Sequence, residues 1–274
     1  NGKSGRCSEN CKFCAQSAHN HTDADTYPLL SKEEILADAK KQAAQGILRY
    51  SIVTAGKALS DEEIDIMCGT IRQIRQETTL SVCVSFGLLT ESQFRRLKDA
   101  GVSRVHNNLE TSERHFPNIC TTHTFADKVS AIQAAQQAGL TVCSGGIMGM
   151  GETMADRIDM ALALRGLGIT SVPVNVLNPI PGTPFGEYPT LSEAEVLRIL
   201  ALYRFLLPAA SIRMAGGRGL LPDGGKSCFL SGANAAITGD MLTTAGITVQ
   251  TDLQMLTELG YEVKLDETTD GHRH

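Results

Sequence analysis

Three cysteines, Cys7, Cys11 and Cys14, stand near the start of the chain in "CSENCKFC", at a C-x3-C-x2-C spacing. That spacing brings three sulfurs round a common centre on one short loop, and soft thiolate ligands select iron or zinc. Structural zinc takes four protein ligands, and the nearest histidines, His19 and His21, fall in the polar run "SAHNHTDAD". Three thiolates without a fourth ligand describe an open metal site.

Five more cysteines follow: Cys68, Cys83, Cys120, Cys143 and Cys228. Eight thiols could form four disulfides, but a chain of 274 residues buries a core large enough to need no staples. No charged-then-apolar leader opens the sequence, so free thiols in a reducing compartment are expected. The composition, 42% hydrophobic and 20% charged, is that of a globular protein rather than a tail. A formal charge of −5 with no Lys/Arg run argues against nucleic acid as a partner. No run approaches the roughly 18 apolar residues of a membrane span. The expectation is a soluble cytoplasmic protein.

The elements that must position these thiols alternate along the chain. Strand-like runs occur at 48–53, 80–86, 102–108, 140–147, 171–177, 211–214 and 234–239. Helical patterns separate them. The first of these, "SKEEILADAKKQAAQG", opens on a capping box of Ser31 and Glu34 and closes on Gly46. Such alternation implies a parallel sheet. An open Rossmann-type sheet is one solution, but the seven runs and the chain length favour an α/β (βα)8 TIM-type barrel whose first strand lies upstream of residue 1. The whole of 1–274 reads as one domain.

Barrel chemistry sits where strands end. The polar residues there are Ser51, Cys83, Ser85, His106, Asn108, Glu110, Cys143, Asn175 and Arg213, with Cys120 in the loop "FPNICTTHT". Residues two apart in a strand share a face, which pairs Cys83 with Ser85 and His106 with Asn108. A cysteine in a helix or strand is commonly a small buried hydrophobe, and that reading is kept for Cys68 and Cys228. Cys83 and Cys143 are set apart by their polar company. "GMG" within "GGIMGMGE" does not complete a G-x-G-x-x-G nucleotide loop.

The cysteine loop, with Phe13 before its last cysteine, resembles that of radical S-adenosylmethionine enzymes. In order along the chain, "CAQSAH", "HNNLETS", "VCSGGIMGMGET", "VPVNVLNPIPGTP", "IRMAGGR" and "CFLSGANA" are similar to the biotin synthase family. The resemblance implies that Cys7, Cys11 and Cys14 hold a 4Fe–4S cluster whose open iron binds S-adenosylmethionine. It implies dethiobiotin as substrate, a flavodoxin or ferredoxin-type electron donor, and a homodimer as one assembly. Phe13, Asn108, Glu110, Gly145, Ile147, Gly149 and Glu152 match cofactor-binding positions, with Glu110 at the ribose hydroxyls. Asn108 and Asn175 match substrate positions, the Asn175 amide facing the ureido group.

One position departs from the family pattern. Cys83, Cys143 and Arg213 match ligands of an auxiliary 2Fe–2S cluster, but Ser51 stands where the third cysteine is expected. Either Ser51 binds as an alkoxide or the cluster differs. The preferred expectation is a four-iron auxiliary cluster held by Cys83, Cys120 and Cys143, because iron–sulfur clusters favour thiolate ligands. Two other readings stay open: a different radical enzyme such as a hydrogenase-maturation relative, and a non-enzymatic metal-binding protein.

Overall fold

Each long helix begins on a residue whose side chain caps it, which fixes where strand gives way to helix. In the computed structural model, which describes residues 1–239 and 246–265, Ser31, Ser60, Thr90, Thr124 and Thr153 open helices α1 (Lys32–Ala44), α2 (Asp61–Glu77), α3 (Glu91–Asp99), α4 (Phe125–Gln137) and α5 (Met154–Gly166) through reciprocal capping boxes. Ser192 and Thr248 cap α6 (Glu193–Leu206) and α8 (Val249–Glu258), and α7 is the short Lys226–Leu230. The stretches 240–245 and 266–274 of the expected single domain lie outside the described residues.

The strands are β1 (Arg49–Val53), β2 (Ser81–Ser85), β3 (Val102–His106), β4 (Thr141–Cys143), β5 (Gly146–Met148), β6 (Ser171–Val176), β7 (Ser211–Met214) and β8 (Ala235–Ala236). All pair in parallel, in the order β1-β2-β3-β4-β6-β7-β8, with β5 also on β6. This is the curled sheet of a TIM-type barrel. Among the described residues β1 and β8 do not pair, so the ring is open. No helix among those residues is long and apolar enough to cross a membrane.

The run expected as one strand at 140–147 is broken in two. A Cβ on Gly145 would lie 1.9 Å from the Pro173 carbonyl oxygen, and one on Gly146 would lie 2.4 Å from that of Glu110. Backbone crosses backbone here, and only glycine permits it.

Period-two alternation sorts the side chains. Ile52, Val82, Val84, Val105, Val142, Val172, Val174, Ile212 and Met214 are buried in one core with Ile64, Ile71, Phe94, Leu97, Ile132, Leu164 and Tyr203 of the helices. The other face carries Arg49, Ser51, Cys83, Arg104, His106, Cys143, Ser171, Asn175 and Arg213. The sheet therefore presents an apolar face to its helices and a polar, thiol-bearing face to the barrel interior.

Candidate active site

The cysteine loop is wrapped by its own backbone. Cys7 N donates to Gln16 O at 2.9 Å and Ala18 N to Cys7 O at 2.8 Å, while Asn20 Nδ2 donates to the carbonyls of Cys11 (3.2 Å) and Cys14 (2.8 Å). All three thiols are free and half-buried. Burial, together with neighbouring Cys7 and Glu110, pushes the Cys14 thiol up to about 11 against the backbone hydrogen bonds of Gln16 and Ser17. Phe13 and Ile147 pack against a small apolar cluster of Phe116, Ile119, Cys120, Met150, Leu177 and Phe185.

Glu110 is held in a left-handed backbone conformation, φ 70°, which a non-glycine residue adopts at a cost of about 1–3 kcal/mol. Its N–H donates to Gly145 O at 3.1 Å and its carbonyl accepts from Ile147 N at 2.9 Å. Burial raises its carboxyl, while Lys128 and His106 oppose the shift. Asn108 Nδ2 donates to Glu110 Oε2 at 3.3 Å and Asn108 Oδ1 accepts from Gly145 N at 3.1 Å. One amide therefore aims the carboxylate and fixes the glycine crossing.

Glu152 plays a different part from its neighbours. Its two oxygens accept from the N–H groups of Gly149 (2.8 Å) and Met150 (2.7 Å), and Arg157 Nε donates to it at 2.7 Å. Its buried carboxylate staples the loop that contains Gly149, φ 101°. Asn175 bridges two strand ends: Nδ2 donates to Gly146 O at 3.1 Å, and Oδ1 accepts from Gly216 N at 2.9 Å. An amide has two donors and two lone pairs, so each end keeps one for a ligand.

Deeper in the barrel, strand register assembles a second site. Ser51 lies opposite Cys83, Cys83 opposite Arg104, His106 opposite Cys143 and Cys143 opposite Ser171. Ser171 Oγ lies 3.3 Å from Cys143 Sγ and accepts from Arg213 at 3.2 Å and Arg104 at 3.5 Å. Burial and then Cys143 push the Cys83 thiol up to about 11, while Arg104, Arg49 and the Ser51 hydroxyl oppose. Cys143 goes the other way, lowered to about 6, because His106, Arg213 and Ser171 outweigh its burial. Two buried free thiols among guanidinium groups and hydroxyls fit an anionic iron–sulfur cluster.

Cys120 stands close to the first cysteine loop. Its sulfur lies 3.7 Å from Cys11 Sγ, 3.3 Å from His123 Nδ1, 3.4 Å from Asn10 Oδ1 and 3.5 Å from Thr122 Oγ1. These contacts set Cys120 beside the first cysteine loop, whereas the neighbours of Cys83 and Cys143 are strand residues. The physical reason lies in Asn10, whose Oδ1 accepts from Thr121 N (2.9 Å) and Thr122 N (3.2 Å), folding the 120–123 loop onto the first cysteine loop. His123 Nδ1 sits 2.5 Å from Glu9 Oε2. The hydrogen bond from Cys11 holds Cys120 well below the usual thiol range against burial, and pushes Cys11 up.

Sequence reasoning missed Arg104, Ser171, Lys128, Glu9 and His123. Arg104 carried a usable signal, since it is two residues before His106 and so shares its face. The others become neighbours only through the fold.

The pattern of the Radical SAM superfamily matches residues 3–164, and that of the Biotin and Thiamin Synthesis associated domain matches 173–262. Among solved structures, methylornithine synthase has a TM-score of 0.79 at 20% identity, covering 94% of this chain and 80% of that one. The FeFe-hydrogenase maturase from Carboxydothermus hydrogenoformans has 0.76 at 18%, covering 93% and 64%. Those likenesses establish the fold. Biotin synthase of Brachyspira hyodysenteriae is 60% identical over 267 residues, 97% of this chain and 80% of the relative. That of Akkermansia muciniphila is 58% identical over 97% and 83%. The chain belongs to the radical SAM superfamily and, within it, to the biotin synthase family.

Proposed function

We propose that the chain converts dethiobiotin to biotin, with Cys7, Cys11 and Cys14 holding a 4Fe–4S cluster and the interior site holding the sulfur-donating cluster. The observation that supports this reading is a second group of free thiols, the pair Cys83 and Cys143, buried with Arg213 close to Cys143 in the same barrel as the three-cysteine loop. Cleavage of S-adenosylmethionine alone needs one metal site; sulfur insertion needs a second. When bound, the loop cluster and S-adenosylmethionine supply a radical able to attack unactivated C–H bonds.

The protein's own residues bind, orient and exclude water. Glu110, aimed by Asn108, takes the ribose hydroxyls. Glu152 fixes the backbone of Gly149 and Met150 along the adenine, with Gly145, Ile147 and Phe13 closing that side. Asn175 offers its remaining N–H and lone pair to the ureido group. Surrounding strands keep the reacting atoms close and dry, which favours attack on substrate over attack on solvent.

For the interior site the ligand set we favour is Cys83, Cys143, Arg213 and Ser51. Four donors suit a 2Fe–2S cluster, whereas a four-iron form would need a third thiolate there. The electron comes from a flavodoxin or ferredoxin-type donor. Anaerobic reconstitution followed by iron and sulfide counting and Mössbauer spectroscopy tests both sites together. The expected result is one four-iron and one two-iron cluster per chain, with biotin formed on turnover. A single cluster with no biotin would reject the reading.

A further inference from the structure

Strand β7 runs into two glycines that bring backbone to the substrate end of the barrel. Gly216 N donates to Asn175 Oδ1 at 2.9 Å, and Val176 N donates to Gly216 O at 2.8 Å. A Cβ on Gly217, φ 77°, would lie 2.0 Å from the Val176 carbonyl oxygen, so only glycine fits there. Glycine by itself leaves the direction of the chain open. The next residue supplies it. Arg218 is 2% exposed, and its Nη2 donates to both carboxylate oxygens of Asp252, at 2.7 and 2.6 Å. Asp252 is also buried, on α8, 34 residues further along. A Cβ on Gly225 would lie 2.5 Å from Arg218 Cγ, so the side chain reaches α8 past another close-packed glycine.

Stability alone is a poor account of this pair. Arg218 Nε and Nη1 are buried without a hydrogen-bond partner among the described residues. A buried ion pair repays its desolvation only when such remaining donors are bonded too, and well-packed apolar side chains often hold a fold as firmly. What the pair does supply is direction. Two other polar contacts from α8 and the residues after it, Lys226 Nζ to Glu258 (2.8 Å) and Tyr261 Oη to Phe229 O (3.1 Å), reach α7 instead of the glycines. We propose that Arg218, held by Asp252, is a positioning residue for the substrate: it sets the Gly216 N–H that fixes the Asn175 amide, so α8 governs how that amide meets the ureido group. The inference rests on the reading that Asn175 binds dethiobiotin.

The test compares the full chain, reconstituted anaerobically, as wild type, as Arg218→Met combined with Asp252→Leu, as Asp252→Asn and as Glu258→Gln. The double variant replaces the ion pair by apolar side chains and should keep the wild-type urea midpoint. Its dethiobiotin affinity, read by isothermal titration, should nevertheless fall about two- to tenfold, the worth of one misaligned hydrogen bond. Asp252→Asn, which keeps the shape of the side chain and removes its charge, should weaken affinity in the same range. In turnover, KM for dethiobiotin should rise while kcat and uncoupled cleavage of S-adenosylmethionine stay unchanged. Glu258→Gln breaks only the exposed contact with Lys226 and should leave affinity as it is. Wild-type affinity in either the double variant or Asp252→Asn, with Asn175→Ala still weakened, would overturn the proposal. So would equal weakening by Glu258→Gln, which would make any loosening of α8 sufficient. Wild-type affinity in Asn175→Ala as well would overturn the substrate reading beneath it.

Discussion

The two thiol sites are built by different means. Cys7, Cys11 and Cys14 are half-buried on a loop tied to a distant stretch of chain, where the N–H groups of Thr121 and Thr122 donate to the loop's own Asn10. Cys83 and Cys143 are each 4% exposed, on strands whose register alone sets their neighbours. A loop site can be altered without disturbing the sheet. An interior site cannot be separated from the charges packed round it, because Arg104, Arg213 and His106 face the same thiols. The mouth is therefore where a ligand can come and go, and the interior is where one can be held.

The largest effect expected from this contrast is at the mouth. Replacing Cys7, Cys11 or Cys14 by Ala should abolish cleavage of S-adenosylmethionine, while the cluster-free chain keeps its stability within about 1 kcal/mol, as substitutions outside a core usually do. 5′-Deoxyadenosine formation by liquid chromatography and urea melts of the cluster-free protein check both halves. Persistent cleavage would dissolve the distinction between the sites.

Next comes the interior. Cys83→Ala or Cys143→Ala should remove the auxiliary iron and stop biotin formation while 5′-deoxyadenosine is still made. Ser51→Ala should weaken that cluster, and Cys120→Ala should leave its iron count unchanged. Iron and sulfide analysis after gel filtration distinguishes these. A Cys120→Ala variant that lost the interior iron would restore the three-thiol arrangement and move Cys120 from one region to the other.

What the sequence disclosed follows the same division. The seven strand runs and the Ser31 capping box were legible because apolar periodicity and cap chemistry are local signals. Even Arg104 was within reach through its spacing from His106. The break between β4 and β5 was not, since the close approach of Gly145 to Pro173 joins residues 28 apart. Nor was the position of Cys120. Its contact with Cys11 spans 109 residues and depends on how Asn10 folds one loop onto another, which no periodicity encodes. Iron–sulfur clusters favour thiolate ligands, but ligand type says nothing about which way a loop turns.

A smaller effect belongs to the boundary between the regions. Asn175→Ala should weaken dethiobiotin binding by about 1–3 kcal/mol, the cost of leaving a ureido group unpaired. Because its amide also joins Gly146 to Gly216, some loss of stability should accompany it. Isothermal titration under anaerobic conditions reads the affinity, and uncoupled cleavage of S-adenosylmethionine should survive. Unchanged affinity would place the substrate away from the β6 strand end.

The smallest effect concerns how acid separates the two regions. Asp156, at the start of α5, accepts from Ser112 Oγ (2.7 Å) and Arg114 (2.7 Å) on one oxygen and from Thr153 N (2.8 Å) on the other. It thereby ties the loop leading to Cys120 to the helix that follows Glu152. Burial alone would raise its carboxyl, but the bonds from Thr153, Ser112 and Arg114 outweigh burial and hold it well below the usual aspartate range. A depressed carboxyl contributes its full stability above the unfolded value, about 3.9 for aspartate, and loses it as pH falls through the folded value. Asp156→Asn should therefore cost about 1–2 kcal/mol at neutral pH, near the lower end for hydrogen bonds to a charged group. That difference from wild type should shrink as pH drops below about 4. Urea melts of the cluster-free chain at several pH values measure it. Hydrogen exchange locates it: protection should fall first at residues 112–123 and last in β2 and β3, since only the mouth relies on this carboxylate. A stability difference that stays constant into strong acid would mean that shape rather than charge holds the loop.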